Sequence, residues 1–141
     1  MRIMALDFGD ARTGVAISDA GGLLTGRTCV IHQWDPERAA QEAAKLAAEC
    51  GAEELVVGFP RNMDGSEGAR AERYRAFAAR MEELTGLPVV LWDERRTTID
   101  AHNILQRNGQ NAKKRKKTVD AVAAALMLEG YLTRRRLEGG R

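Results

Sequence analysis

The first nineteen residues constrain the fold of this chain more than any other stretch. Residues 3–6 form an uninterrupted apolar run, which is typical of a short strand buried on both faces, and Asp7 ends that run. Gly9 and Asp10 predict a turn, and residues 13–18 form a second run with strand character. The chain therefore opens with a predicted β-hairpin that carries Asp7. Two interpretations of Asp7 are equally open at this point: a turn aspartate that accepts hydrogen bonds from backbone amides, or a functional carboxylate.

Alternating strand and helix patterns follow this hairpin. Three antiparallel strands are expected first, because a third strand pattern comes directly after the second. The predicted strands after the hairpin cover residues 23–32, 55–57 and 89–92, and a polar loop over 59–65 follows the second of them. The predicted helices cover residues 37–50, closed by Gly51, then about twenty residues ending at Leu84, and then Thr97 or Thr98 to Arg107. A final helix is capped by Thr118, and residues 134–141 are expected to be frayed.

This order of elements predicts one α/β domain over residues 1–141. Three antiparallel strands followed by two parallel crossover strands make a five-stranded mixed sheet, with helices on both faces. In open sheets of this kind, ligands bind beyond the carboxyl ends of the parallel strands. Asp7, Asp93 and Glu94 all follow predicted strands, so we expect these ends to converge.

Composition narrows the class of protein without identifying a partner. A chain of 141 residues is long enough to form one domain with a hydrophobic core. A net charge of +2 does not indicate whether the binding partner is a nucleic acid or a membrane surface. We expect a cytoplasmic protein with no membrane association, because there is no secretory pattern and no apolar run of roughly 20 residues. Cys29 and Cys50 lack metal-ligand spacing and are expected to be buried free thiols, while His32 and His102 are isolated.

Converging carboxylates indicate a divalent metal ion. Two or three carboxylates repel one another unless a cation neutralises them, and oxygen ligands select hard ions such as Mg²⁺ or Mn²⁺. Asp120 is the third candidate acid, and two interpretations of it are open. It could favour the dipole at the start of the last helix, or it could point at the sheet, since it shares a helical face with Ala123, Ala124 and Met127. No Ser-His or Cys-His arrangement offers an alternative chemistry.

A basic run lies just before the predicted final helix and is expected to form a cationic loop beside the acids. Such a loop suits the phosphate backbone of a nucleic acid, although charge runs are more often ordinary solvated surface. Three arginines that follow strand ends or turns are further candidates for phosphate contacts. The candidate nucleic-acid-binding residues are Arg12, Arg61, Arg95, Lys113, Lys114, Arg115, Lys116 and Lys117.

Four blocks of sequence, spread over nearly the whole chain, match one known family pattern. They are Leu6-Asp7-Phe8-Gly9 with Arg12-Thr13-Gly14-Val15-Ala16, Val57-Gly58-Phe59-Pro60 with Asp64-Gly65, Asp93-Glu94-Arg95 with Thr97-Thr98, and Asp120-Ala121 with Ala123-Ala124. In this order and at this length, the blocks resemble the YqgF, or RuvX-like, family of Holliday junction resolvase relatives, which are described as nucleases of pre-16S ribosomal RNA processing.

This resemblance implies an RNase H-like fold and a metal-dependent endonuclease. Its matched catalytic and metal-binding acids are Asp7, Glu94 and Asp120, which would hold two Mg²⁺ or Mn²⁺ ions, with Asp7 bridging them. The implied reaction is hydrolysis of phosphodiester bonds in structured nucleic acid, with 5′-end processing of pre-16S rRNA, on its own or in ribosomal precursor particles, favoured over branched DNA.

Three other functions remain open at the level of sequence. A DNA junction resolvase would need two sites related by symmetry, so a homodimer would favour it and a monomer would favour RNA processing. A non-catalytic RNA-binding or ribosome-assembly module would retain the fold without cleavage. An actin-like nucleotide-binding domain also begins with an Asp-x-Gly strand pair, but that machinery closes two domains around its nucleotide.

Overall fold

The computed structural model describes residues 1–9, 11–22, 25–59, 71–93 and 112–137, and of residues 93 and 112–120 it describes the backbone only. The predicted polar loop after Phe59 and the predicted helix over 97–107 lie outside the described residues.

Five strands form a single mixed sheet. They are β1 (Ile3–Phe8), β2 (Arg12–Ser18), β3 (Thr25–His32), β4 (Glu54–Phe59) and β5 (Val89–Asp93). Their order across the sheet is β3-β2-β1-β4-β5, so β1 lies at the centre. Pairing is antiparallel between β1 and β2 and between β2 and β3, whereas β4 runs parallel to β1 and β5 runs parallel to β4. The predicted mixed sheet is confirmed.

Two helices connect strands on one side of this sheet. They are α1 (Pro36–Cys50) and α2 (Ala71–Thr85). The Asp35 carboxylate caps α1 by accepting a 3.2 Å hydrogen bond from the Arg38 amide. Gly51 closes α1 with a left-handed φ of 74°, as its C-cap position predicts. None of the helices in the described part of the chain is long and apolar enough to cross a bilayer.

The last helix, α3 (Ala112–Leu137), is longer at both ends than predicted. The prediction that Thr118 caps it after a basic loop is wrong, because the helix already begins at Ala112 and contains the basic run. Alanine, lysine and arginine are strong helix formers, and no glycine or proline interrupts them there. The expected fraying from Arg134 is also wrong as far as Leu137. Arg135 holds this end by donating a 3.1 Å hydrogen bond to the Glu54 carboxylate.

The sheet has a core on each face, as predicted. One core joins Met4, Leu6 and Phe8 of β1 to α1 and α2, and the Phe8 ring stacks on Phe77 with centroids 4.2 Å apart. The other core joins β1 to α3 and contains Ile3, Ala5, Ala16, Val56, Trp92, Ala124, Met127, Leu128 and Leu132. We call the surface of the sheet that faces this second core the α3 face.

Both cysteines pack at the edge of the first core. Cys29 in β3 and Cys50 at the end of α1 are free thiols, as predicted, but they are half-buried rather than buried. Burial raises the pKa of the Cys29 thiol, which favours its protonated form.

Contacts near the C-terminus of α3 fix where this part of the helix lies. The Tyr131 hydroxyl donates a 2.6 Å hydrogen bond to the carboxylate of Glu54, the first residue of β4. The same part of α3 packs against Trp92 of β5, and the helix also contacts β1, β2 and β3. The end of the sheet where β1, β3, β4 and β5 finish and β2 begins is called the C-terminal edge below.

Candidate active site

Asp7 lies near the C-terminal edge, on the central strand. It is half-buried, although Leu6 and Phe8 on either side of it are only 0% and 3% exposed. Because side chains alternate along a strand, Asp7 shares the α3 face with Ile3 and Ala5. The sheet thus holds this carboxylate on a rigid element and leaves it partly accessible to solvent.

Glycines occupy the positions on either side of Asp7. In the β1–β2 pairing Asp7 lies opposite Gly14, and continuing the β1–β4 register one residue past Leu6 and Val57 sets Gly58 beside it. A glycine has no Cβ, so β2 and β4 place no side chain directly beside the carboxylate. Both glycines are themselves buried, and Asp7 is the more accessible residue of the three.

Helix α3 places position 120 on the same side of the sheet as Asp7. Ala123 and Ala124, one turn after position 120, are 3% and 0% exposed, and Met127 one turn further is 1% exposed. Residues at these spacings share one face of a helix, so position 120 lies on the face that packs on the sheet. The side chain of Asp120 lies outside what the structure describes, and its role as a ligand stays a prediction.

The remaining predicted residues of the site lie beyond the described residues. Glu94 directly follows Asp93, the last residue of β5, which pairs with Phe59 at the C-terminal edge. Arg61 and Arg95 also fall in undescribed ranges. Among the side chains that are described, no group of three His, Cys, Asp or Glu residues could hold a metal ion. Of the predicted triad, the structure therefore describes the side chain of Asp7 and the backbone of Asp120, and Glu94 follows the last residue of β5.

Two groups of predicted nucleic-acid-binding residues lie in described elements. Arg12 is the half-buried first residue of β2 and pairs with His32 across the sheet, at the C-terminal edge. The basic run occupies the first turns of α3. Consecutive helical residues are about 100° apart, so five of them surround the helix and cannot all face one ligand. Positions 113, 116 and 117 share the face of position 120, whereas 114 and 115 do not.

Gly9 fixes the turn that presents Asp7. A Cβ at Gly9 would lie 2.5 Å from the backbone oxygen of Arg12, closer than real Cβ contacts allow. We expect Gly9→Ala to shift this turn, to lower the free energy of unfolding by about 1–3 kcal/mol and to reduce catalysis. Gly21→Ala in the next turn is the control, since its Cβ would meet only the Asp19 carboxylate at 4.0 Å. Urea unfolding measures the midpoints of both variants. Equal midpoints would show that the turn at Gly9 accommodates a Cβ without a loss of stability.

A cleft between α1 and α2 lies on the other face of the sheet. Its volume is about 430 Å³, and Phe77, Arg73 and Ala40 contribute to its lining. Arg80 crosses it to Glu37 with two 2.9 Å contacts and lowers the pKa of the Glu37 carboxyl, helped by a hydrogen bond from Gln41. Since Asp7 is on the α3 face, this cleft does not adjoin Asp7.

Comparisons with known proteins agree with the sequence resemblance. The family model described as "RuvX: Holliday junction resolvase" matches residues 1–134. A protein of Halothermothrix orenii named "Putative pre-16S rRNA nuclease" is 44% identical over 132 residues, which cover 94% of each chain. A relative of the same name from Geobacillus kaustophilus is 42% identical over 139 residues, which cover 96% of this chain and 100% of its own.

Two solved structures with a similar fold are complexes with Holliday junctions. RuvC of T. thermophilus, solved in complex with a Holliday junction substrate, superposes with a TM-score of 0.63 at 14% identity and covers 96% of each chain. The Fowlpox virus resolvase, solved with Holliday junction DNA, gives a TM-score of 0.59 at 12% identity and covers 95% of this chain and 98% of its own. At these identities the likeness shows the RNase H-like fold alone. The family match over residues 1–134 and the relatives above 40% identity show more: the chain belongs to the RuvX family.

Proposed function

We propose that this protein is a metal-dependent endonuclease that cleaves structured RNA in the 5′-end processing of pre-16S rRNA. Its family and its relatives are named as nucleases, which places it among hydrolases of phosphodiester bonds. The observation that carries the proposal is Asp7, a half-exposed carboxylate on the central strand with glycines on both sides.

The residues around Asp7 fit a hard divalent cation. Asp7 offers carboxylate oxygens, which such ions prefer as ligands, and Gly14 and Gly58 place no competing side chain beside it. Asp7, Glu94 and Asp120 would hold Mg²⁺ or Mn²⁺, most simply as two ions. The bound ions would supply activation of a water molecule and neutralise charge on the leaving oxygen.

The protein's own contribution is positioning. The central strand fixes Asp7, and α3 brings position 120 to the same side of the sheet. Arg12 at the start of β2 and the cations in the first turns of α3 would supply positive charge that orients the phosphate backbone. No step requires a nucleophilic side chain.

RNA is the favoured substrate because the relatives above 40% identity are named for pre-16S rRNA. Resolution of DNA junctions is the second candidate, favoured by the family description. A resolvase needs two sites related by symmetry, so the mass in solution discriminates between them. The direct test incubates the purified protein with labelled pre-16S RNA or with a four-way DNA junction, with Mg²⁺, Mn²⁺ or EDTA. Metal-dependent cleavage of the RNA alone supports the proposal, and cleavage of neither substrate removes it.

The basic run in α3 should contribute unequally to binding. Cations in the first turns of a helix oppose its dipole, so their placement favours an anionic ligand over a purely structural role. Glutamine at 113, 116 and 117, on the face shared with position 120, should lower the log–log salt slope of RNA binding by about 2. Glutamine at 114 and 115 should lower it by less than about 1. The salt dependence of RNA binding in EDTA measures both slopes. An equal loss of slope for each cation removed in the two variants would show that all sides of the helix contribute alike.

A further inference from the structure

Trp34 is an exposed aromatic residue on a braced turn. It is 76% exposed, whereas Trp92, the other tryptophan, is 7% exposed within the core. Hydrogen bonds hold both neighbours of Trp34: the Gln33 amide donates to the Ala11 carbonyl at 3.1 Å, and the Asp35 amide donates to the Gln33 side chain at 3.2 Å. The turn therefore presents an indole to solvent at little further conformational cost on binding.

The topology places Trp34 at the same edge of the sheet as Asp7. Trp34 comes two residues after His32, the last residue of β3. His32 pairs with Arg12 at the C-terminal edge. In the same sheet, Asp7 lies opposite Gly14 and Gly14 lies opposite Val30. Two strand spacings separate β3 from β1, about 10 Å, and four residues along the chain add at most about 13 Å. The Cα atoms of Trp34 and Asp7 are thus at most about 23 Å apart.

Charged residues of both signs lie near Trp34. Arg12 pairs with His32 at this end of β3, and Arg38 lies in the first turn of α1. Asp35 caps α1, and Glu37 accepts hydrogen bonds from Arg80. An indole with arginines nearby is a combination with which proteins bind single-stranded nucleic acid, by stacking a base and contacting the adjoining phosphates.

We propose that Trp34 stacks on an unpaired base in the single strand that flanks the cleavage point. This inference rests on the proposed nuclease function and names a feature of its substrate. At about 3.4 Å per stacked nucleotide, the base would lie within about seven nucleotides of the phosphate at Asp7. A base must be unpaired to stack on a side chain, so the protein prefers a duplex with a single-stranded tail to a blunt duplex. A protein partner would also use an exposed tryptophan, but continuity with the Asp7 edge favours the nucleic acid.

Binding without cleavage tests this contact. The full-length protein is titrated in EDTA with a short RNA duplex that carries a single-stranded tail, and with the same duplex made blunt. Trp34→Ala should weaken binding of the tailed duplex by about tenfold, within the range that one stacked base contributes, and change binding of the blunt duplex less than about twofold. Trp34→Phe should lose less. Leu137→Ala, an equally exposed apolar residue at the far end of α3, should match the wild type.

Fluorescence supplies a second measurement. The tailed duplex should quench the emission of the wild type, and Trp34→Phe, which retains the buried Trp92, should lose that quenching. Unchanged affinity of Trp34→Ala for the tailed duplex overturns the inference. That result would favour a protein partner as the ligand of Trp34. An equal loss on both duplexes also overturns it. Cleavage is measured separately with Mg²⁺: a wild type that binds through Trp34 but never cleaves refutes the nuclease activity and not the stacking contact.

Discussion

Asp7→Asn is expected to lower cleavage of pre-16S RNA by on the order of 10³-fold or more. The substitution keeps the shape of the side chain on the central strand and removes its negative charge, so the loss comes from the chemistry and not from the fold. Asp7 would supply this negative charge to the metal ions, so the substitution weakens their binding and the chemistry that they support. The first-order rate of cleavage at saturating Mg²⁺, compared with that of the wild type, measures the effect. Equal rates would remove the proposed site.

A metal-binding measurement separates this prediction from a failure to find the right substrate. A ligand that binds the folded state raises the unfolding temperature, so Mg²⁺ or Mn²⁺ should stabilise the wild type and not Asp7→Asn. The matched control is Asp19→Asn, which makes the same change just after the other end of β2, at the opposite edge of the sheet. It should retain both cleavage and the stabilisation by metal. A metal-dependent shift that persists in Asp7→Asn would contradict the assignment even if no RNA is cleaved.

The sheet could be predicted because its elements are fixed by local chemistry. The apolar run over residues 3–6 buries β1 on both faces, and alternation places Asp7 on one of them. Gly51 and Gly86 adopt positive φ values of 74° and 69° where helices end, as glycines at C-caps do. The order of antiparallel strands and parallel crossovers then permits few sheets, and the observed order is one of them.

The limits of α3 could not be predicted because tertiary contacts and propensity override the local signal. Thr118 is a good N-cap, yet the helix continues before it through strong helix formers. Arg134 and Arg135 look like the start of a charged tail in sequence. In the structure Arg135 bonds to Glu54, and Arg134 lies with its guanidinium carbon 6.0 Å from the centre of the Trp92 ring. Partners so far apart in the chain leave no trace in a local pattern.

The surroundings of Asp7 are also a product of strand register. That Gly14 and Gly58 flank Asp7 depends on pairings between distant segments, so from sequence they are merely two glycines in strands. Trp34 shows the same limit. No aromatic residue interrupts the basic run in sequence, which argues against base stacking there. The fold nevertheless brings Trp34 to the C-terminal edge from a turn in the first half of the chain.

Leu128→Ala is expected to lower the free energy of unfolding by about 2–5 kcal/mol, because it leaves a cavity under α3. Leu128 is 0% exposed in the core between α3 and the sheet. Leu126→Ala is the matched control: it removes the same atoms from a half-buried position on the same helix and should cost about 1 kcal/mol or less. Urea unfolding measures both, and equal losses would contradict the packing of α3 described above.

The effect of Leu128→Ala on activity follows from what α3 carries. Position 120 and the basic run lie on this helix, so loosening the helix should displace the proposed catalytic and binding groups together. The helix also passes close to Trp92, since a Cβ at Gly130 would lie 3.2 Å from the indole. In a Trp34→Phe background, Trp92 emission therefore reports the docking of α3. If the helix detaches before the sheet unfolds, cleavage and Trp92 emission in Leu128→Ala should change together at lower urea than the far-ultraviolet circular dichroism. Loss of cleavage while Trp92 emission stays native would show that α3 does not position the site.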